Sequence, residues 1–379
     1  MHDIALLLNL TVSLCLALAL GLVTERLRLS PIVGYLTAGI VLGPHTPGIR
    51  ADVEMAQQFA EVGVILMMFG VGLHFKVRDL WAVRKVAVPG AVGQIAAATV
   101  LGMLACRALG MSTHEGLVVG LAISVASTVV LTRVLVDNNV LDTPQGHMAI
   151  GWLIVEDIFT VLALVCLPAL ADIVAHRSDD GGVNIVASIG LAALRIGFLG
   201  VLILGGGKRL IPWLLGYVAR TRSRELFTLS VLALALAIAT ASAVFFGVSM
   251  ALGAFLAGMV VGQSELSHQA AADALPMRDA FAVLFFVAVG MLFDPLAVQE
   301  HPGLLLVLLL IVMAAKPLVA LVIVWLLRHT WQAALTIAIA LAQIGEFSFL
   351  LADEAIRHEL LSSDSRSLLV ACALISITI

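Results

Sequence analysis

Gly34-Tyr-Leu-Thr-Ala-Gly-Ile-Val-Leu-Gly43 returns as Gly253-Ala-Phe-Leu-Ala-Gly-Met-Val-Val-Gly262, identical at five of ten positions. The next apolar stretch repeats as well. Glu61, Leu66, Val71, Gly72 and Phe75 meet Asp279, Leu284, Val289, Gly290 and Phe293 in nearly the same register, the numbering shifted by 218 here and by 219 in the first match. Two adjacent matches at nearly one displacement point to a duplicated chain rather than to glycines that recur by chance.

Composition says what has been duplicated. Of 379 residues, 61% are hydrophobic and 12% are charged, where soluble domains carry roughly 45 to 50% and about 25%. A soluble core cannot absorb that excess. Apolar stretches recur from end to end at the length of about 20 residues that crosses roughly 30 Å of hydrocarbon. Thirteen spans are expected, at 4–23, 31–44, 55–75, 86–106, 115–136, 146–171, 185–206, 225–246, 249–262, 277–293, 303–327, 331–353 and 365–379. The first is expected to stay as a helix, because only His2 and Asp3 stand where a cleavable signal would carry basic residues.

The displacement pairs spans 1 to 6 with spans 8 to 13 and leaves 185–206 as a connector. An odd number of helices then separates partners, so the halves run in opposite directions through the bilayer. The expected fold class is an all-α polytopic membrane protein with inverted-topology six-helix repeats. In secondary transporters such repeats place the binding site near the midplane, at discontinuous helices.

Orientation follows from the basic residues. With an external N-terminus, fourteen of the 21 Lys and Arg fall in inner loops, among them Arg26, Arg28, Arg84, Lys85, Lys208, Arg209 and Arg220, and five fall outside. The positive-inside rule then sets the C-terminus in the cytoplasm. The net charge of -4 is small beside these loops and gives no reason to expect nucleic acid. Cys15, Cys106, Cys166 and Cys372 lie in separate apolar spans without CxxC or nearby His spacing, so neither disulfide nor resident metal is expected. Gly205-Gly-Gly-Lys208 lacks the spacing of a phosphate loop.

Ionisable groups at bilayer depth are costly and mark function by default. Glu156 and Asp157 stand about ten residues into span 6, near the midplane at 1.5 Å per residue. Neighbours on a helix diverge by about 100°, so the two cannot share a proton, and one can face a cavity while the other faces a partner helix. A proton and a cation neutralise the same carboxylate and compete for it, which is the chemistry of antiport. Lys316 lies mid-span before Pro317 and calls for a carboxylate; Glu156 is the preferred partner, which leaves Asp157 for the ion. Arg195 stands inside the connector with no partner evident from sequence.

The displacement of 218 also maps Ser124-Val-Ala-Ser-Thr128 onto Ala342-Gln-Ile-Gly-Glu346. Both are small or polar where an apolar span is expected. They read as paired helix breaks whose carbonyls face a cavity and whose half-helix N-termini meet. Glu346 would neutralise that meeting of positive ends, with Thr128 as its repeat mate. Ser124, Ser127, Thr128 and Gln343 are supporting residues; the plainer reading of the hydroxyls is bonding back to their own helix.

Ile123-Ser-Val-Ala-Ser-Thr-Val-Val130, Ile154-Val-Glu-Asp157 and Ala342-Gln-Ile-Gly-Glu-Phe-Ser-Phe349 together resemble the monovalent cation:proton antiporter-2 family, in particular its Kef-type potassium-efflux branch and YbaL-like members. The resemblance implies an NhaA-like fold and exchange of K+ or Na+ for H+ in a bacterial inner membrane. It maps the ion- and proton-carrying carboxylate to Asp157, preceded by Glu156 where related exchangers have Asp, Asn or Gln, a departure that leaves the coupling ratio open. It implies a homodimer formed through 1–76 and 225–300, a transport domain of 86–171 and 303–379 moving as an elevator, and a linker at 185–206. Kef-type members carry a cytoplasmic nucleotide-binding regulatory domain after the last span, and none is read in this sequence. The last apolar run, Ser367 to Ile379, covers only about 20 Å at 1.5 Å per residue, so the natural protein is expected to continue.

Other functions fit less well. A cation channel needs a continuous polar path, and an intramembrane aspartyl protease needs a second aspartate facing Asp157. A sodium-coupled organic-anion symporter on the same fold needs a basic anion site, for which only Arg195 and Lys316 qualify. No enzyme activity and no cofactor beyond the transported ions are expected.

Overall fold

The computed structural model describes residues 2–47, 51–74, 77–141, 143–177, 194, 197–246 and 249–379, and among them no strand forms. The helices are α1 His2–Arg26, α2 Pro31–Leu42, α3 Val53–His74, α4 Val77–Ala108, α5 Thr113–Ser124, α6 Thr128–Asp137, α7 Pro144–Arg177, α8 Lys208–Arg220, α9 Arg224–Phe246, α10 Met250–Gly262, α11 Ser267–Met291, α12 Pro295–Glu300, α13 Pro302–Leu310, α14 Lys316–Leu326, α15 Trp331–Ala340, α16 Phe347–Arg357 and α17 Ser363–Thr378. Among the described residues, eight helical stretches are long and apolar enough to cross a membrane: Leu7–Arg26, Val53–Leu73, Arg84–Ala108, Pro144–Leu164, Gly197–Arg220, Arg224–Phe246, Ser267–Met291 and Pro302–Leu326. Pro31–Leu42, Met250–Gly262 and Trp331–Ala340 are shorter apolar helices.

Two compact units emerge, one of Met1–Ala17, Ile49–Lys76 and Leu164–Ala288, the other of Leu18–Gly48, Val77–Ala163 and Val289–Ile379. In the first, α3 and α10 touch backbone to backbone: a Cβ on Gly72 would lie 2.2 Å from the carbonyl oxygen of Phe255, and one on Gly258 would lie 2.1 Å from that of Phe69. In the second, α11 meets α2 in the same way, with a Cβ on Gly290 falling 2.2 Å from the carbonyl oxygen of Leu36. Gly72 and Gly290 are repeat mates, and so are Leu36 and Phe255. The repeated glycines therefore make the same packing contact in each unit, the close approach that small residues allow between membrane helices.

The helix starts recur in the same register. Ser30 caps α2 by accepting the N–H of Ile32, and its repeat mate Ser249 caps α10 by accepting that of Leu252. Ser112 caps α5, and its repeat mate Thr330 caps α15. Each hydroxyl satisfies an N–H that a helix start leaves without an intrahelical acceptor.

The connector differs from expectation. Residues 185–193, 195 and 196, Arg195 included, lie outside the described residues. Beyond them the chain does not end its helix near 206 and loop through Lys208 and Arg209. It passes through a π-helical turn at Leu202–Gly207 directly into α8. Three consecutive glycines widen the helix instead of stopping it, because Ile211 and Leu215 bury one face of the next turns.

Candidate ion-binding site

Both expected breaks interrupt their helices, and they lie against each other. α5 stops at Ser124, Val125 takes an extended conformation at φ -91° and ψ 137°, and Ser127 caps the start of α6 by accepting the N–H of Val130. α15 stops at Ala340, and α16 begins at Phe347. The Ser127 N–H donates to Oε1 of Gln343 at 2.9 Å, and the Gln343 Nε2 donates back to the Ser127 carbonyl at 3.1 Å. The Gly345 N–H donates to the carbonyl oxygen of Val125 at 3.0 Å. A Cβ at position 345 would lie 2.5 Å from the Ala126 carbonyl oxygen, so the crossing requires glycine. Backbone that cannot reach water must find partners in protein, and each break supplies them to the other.

The charged side chains at depth terminate these broken ends. Oε2 of Glu156 accepts the N–H of Ala126 at 2.9 Å, one residue before the cap of α6. Nζ of Lys316 donates to the carbonyl oxygen of Gln343 at 2.9 Å, just past the end of α15. Lys316 follows a π-helical turn at Ile311–Ala315 and precedes Pro317. Proline lacks an N–H and crowds the carbonyl four residues earlier, and a widened turn relieves that crowding. The pairing of Lys316 with Glu156 expected from sequence is electrostatic: each donates or accepts its hydrogen bond at a backbone group of one break, and the two charges act on each other through space. The backbone ends take the hydrogen bonds because they would otherwise be orphaned in a region without water.

Asp157 is different. It is 9% exposed, and its Oδ1 has no hydrogen-bond partner among the described residues, whereas Glu156 leaves only Oε1 unpartnered and places Oε2 on Ala126. The charges of Glu346 and of its sequence neighbour Glu156 both act on it, and the two adjacent carboxylates of the helix diverge by about 100°. Glu346, at the start of α16, is buried and accepts the hydroxyl of Thr128 at 3.3 Å, so the repeat mates meet in space. Ser124 turns its hydroxyl back to the Leu121 carbonyl at 2.7 Å and serves its own helix. Among the described residues, no group of three His, Cys, Asp or Glu side chains could hold a metal ion.

Sequence reasoning missed Gln94 and Trp152. Both are fully buried, the indole N–H of Trp152 donating to Oε1 of Gln94 at 2.8 Å and Nε2 of Gln94 donating to the Ser124 carbonyl at 2.7 Å. An amide in the middle of span 4 was the available signal, because a buried amide needs partners.

Interrupted helices crossing beside a buried carboxylate are the arrangement in which helical membrane transporters build their sites. The chain belongs to the sodium/hydrogen exchanger family, whose transmembrane model matches residues 11–379. It is 50% identical over 377 residues to the candidate cation/proton antiporter YbaL of Escherichia coli K12, covering 99% of this chain and 67% of that protein. It is 30% identical to the glutathione-regulated potassium-efflux system protein KefC of Klebsiella pneumoniae, covering 93% of this chain and 56% of that one. The sodium proton antiporter MjNhaP1 of Methanocaldococcus jannaschii shares the fold, with a TM-score of 0.67 at 16% identity, covering 100% of this chain and 96% of that one.

Proposed function

We propose that this chain exchanges a monovalent cation for protons, with Asp157 as the group that holds one or the other. The observation that carries the reading is the Asp157 carboxylate, whose buried Oδ1 has no hydrogen-bond partner among the described residues, while the neighbouring Glu156 is held at Oε2 by the Ala126 N–H. A buried carboxylate of that kind is costly unless a proton or a cation neutralises it, so the two compete for one place. Glu156, also a candidate for ion or proton binding, and Lys316 hydrogen-bond to Ala126 and Gln343 and adjust the affinity of Asp157 through their charges. Thr128, Gln343 and Glu346 hold the two breaks together beside the site.

Potassium is the favoured cation, because KefC is named as a potassium-efflux protein, and sodium is the alternative. Alternating access proceeds by elevator-like movement of a transport domain formed by 86–171 and 303–379 in a homodimer. The inverted repeat underlies it, with the N-terminus outside. In proteoliposomes with an imposed pH gradient, potassium or sodium dissipates the gradient in the wild type but not in Asp157→Asn, which still folds. Exchange at the wild-type rate in Asp157→Asn overturns the assignment.

A further inference from the structure

Three separate pieces of chain meet on the side-chain amide of Gln94. Its Oε1 accepts the indole N–H of Trp152 at 2.8 Å, and its Nε2 donates to the carbonyl oxygen of Ser124, the last residue of α5, at 2.7 Å. An indole N–H only donates and a carbonyl only accepts, so the amide has one orientation that serves both. Gln94 and Trp152 are both 0% exposed. Gly90, one turn before Gln94, leaves the room the indole needs, since a Cβ there would lie 2.1 Å from the ring.

Trp152 and Glu156 are four residues apart on α7 and so share a face. Glu156 in turn accepts the N–H of Ala126, two residues beyond Ser124. The bonds therefore close a ring: Gln94 to Ser124, along the break to Ala126, across to Glu156, back one turn to Trp152, and again to Gln94. A ring tied at two points of α7 fixes the rotation of that helix against the break. Asp157 follows Glu156 by about 100° of helix, so the same constraint sets where its carboxylate points.

We propose that Gln94 is a positioning residue for the cation site at Asp157, acting through Trp152 and the first helix break; the proposal rests on the reading of Asp157 as the exchanging group. Outer residues that orient a liganding carboxylate are worth roughly 10- to 100-fold in ion affinity. Gln94→Met keeps the length of the side chain and removes the amide. Trp152→Phe removes only the indole N–H.

The test measures cation-dependent proton flux in proteoliposomes against potassium and sodium concentration, with thermal melting of each variant in detergent alongside. Gln94→Met is expected to raise the cation KM by roughly 10- to 100-fold with little loss of maximal rate. Trp152→Phe moves KM in the same direction, and the double variant goes little beyond Gln94→Met, because both substitutions break one network. A merely structural network lowers the melting temperature and leaves KM and its pH profile at wild-type values, which overturns the proposal. If Gln94→Met does not fold, the KM of Trp152→Phe decides alone. A wild type without cation-dependent flux overturns the reading of Asp157 and this inference with it, whereas an active wild type with unmoved variants overturns this inference only.

Discussion

Lys316 places its ammonium 2.9 Å from the carbonyl oxygen of Gln343, at the carboxyl end of a helix that stops inside the membrane. That end carries partial negative charge, and a cation there is stabilised, as an anion is at an amino end. Glu156 is the counterpart, its carboxylate on the N–H of Ala126 before α6. The two charges sequence places at depth thus complement the two broken helices as well as each other.

Replacing Lys316 with Met leaves the Gln343 carbonyl buried with no donor, at a cost of roughly 1–3 kcal/mol. It also leaves Glu156 without its nearby positive charge. A lowered melting temperature of the detergent-solubilised protein is expected. A Lys316→Met variant as stable as wild type would show that water or another donor reaches Gln343.

At position 156 the amide and the methyl group part company. Glu156→Gln retains an oxygen that can accept the Ala126 N–H, whereas Glu156→Ala leaves that donor orphaned at a cost of roughly 1–3 kcal/mol. Melting is expected to rank wild type and Glu156→Gln above Glu156→Ala, with exchange retained in Glu156→Gln because Asp157 is intact. Loss of all exchange in a folded Glu156→Gln would give Glu156 a direct share in carrying ions.

Much of this site was legible because the residues that interrupt a membrane helix differ from those that continue it. Ser124 to Thr128 and Ala342 to Glu346 stood out as polar segments at matching positions of a repeat, and the helices stop there. The partner of Lys316 was not legible. A backbone carbonyl has no letter in the sequence, so charge-pairing logic named Glu156 as the countercharge but not the Gln343 carbonyl that accepts the hydrogen bond. Gln94 escaped for a related reason: its partners are an indole and a carbonyl 58 and 30 residues away. The connector boundary near 206 was set by the end of the apolar run, while the helix continues through Lys208 to Arg220 with Ile211 and Leu215 buried.

At the crossing itself, Gly345→Ala would set a methyl group 2.5 Å from the backbone oxygen of Ala126, which cannot move as a side-chain end can. Overpacking of this kind costs about 1–3 kcal/mol, and here it also strains the Gly345 bond to Val125. Gly216→Ala on α8, where nothing lies within 4 Å of the added atom, is the control. Gly345→Ala is expected to lower both melting temperature and flux, and the control neither. Equal behaviour of the two would mean that the breaks are not held at the distance described.

The repeat makes a sharper prediction about stability. Gly72 and Gly290 occupy equivalent positions, and a Cβ on either would come within 2.2 Å of a carbonyl oxygen, that of Phe255 or that of Leu36, themselves equivalent. If duplication preserved the contact because the packing requires it, Gly72→Ala and Gly290→Ala should be destabilising to a similar degree, in the range of about 1–3 kcal/mol for overpacking. Melting of each variant, followed separately, measures this. One substitution tolerated and the other not would mean that one half has found a different way to relieve the same clash. The shared glycines would then record ancestry without a present packing requirement.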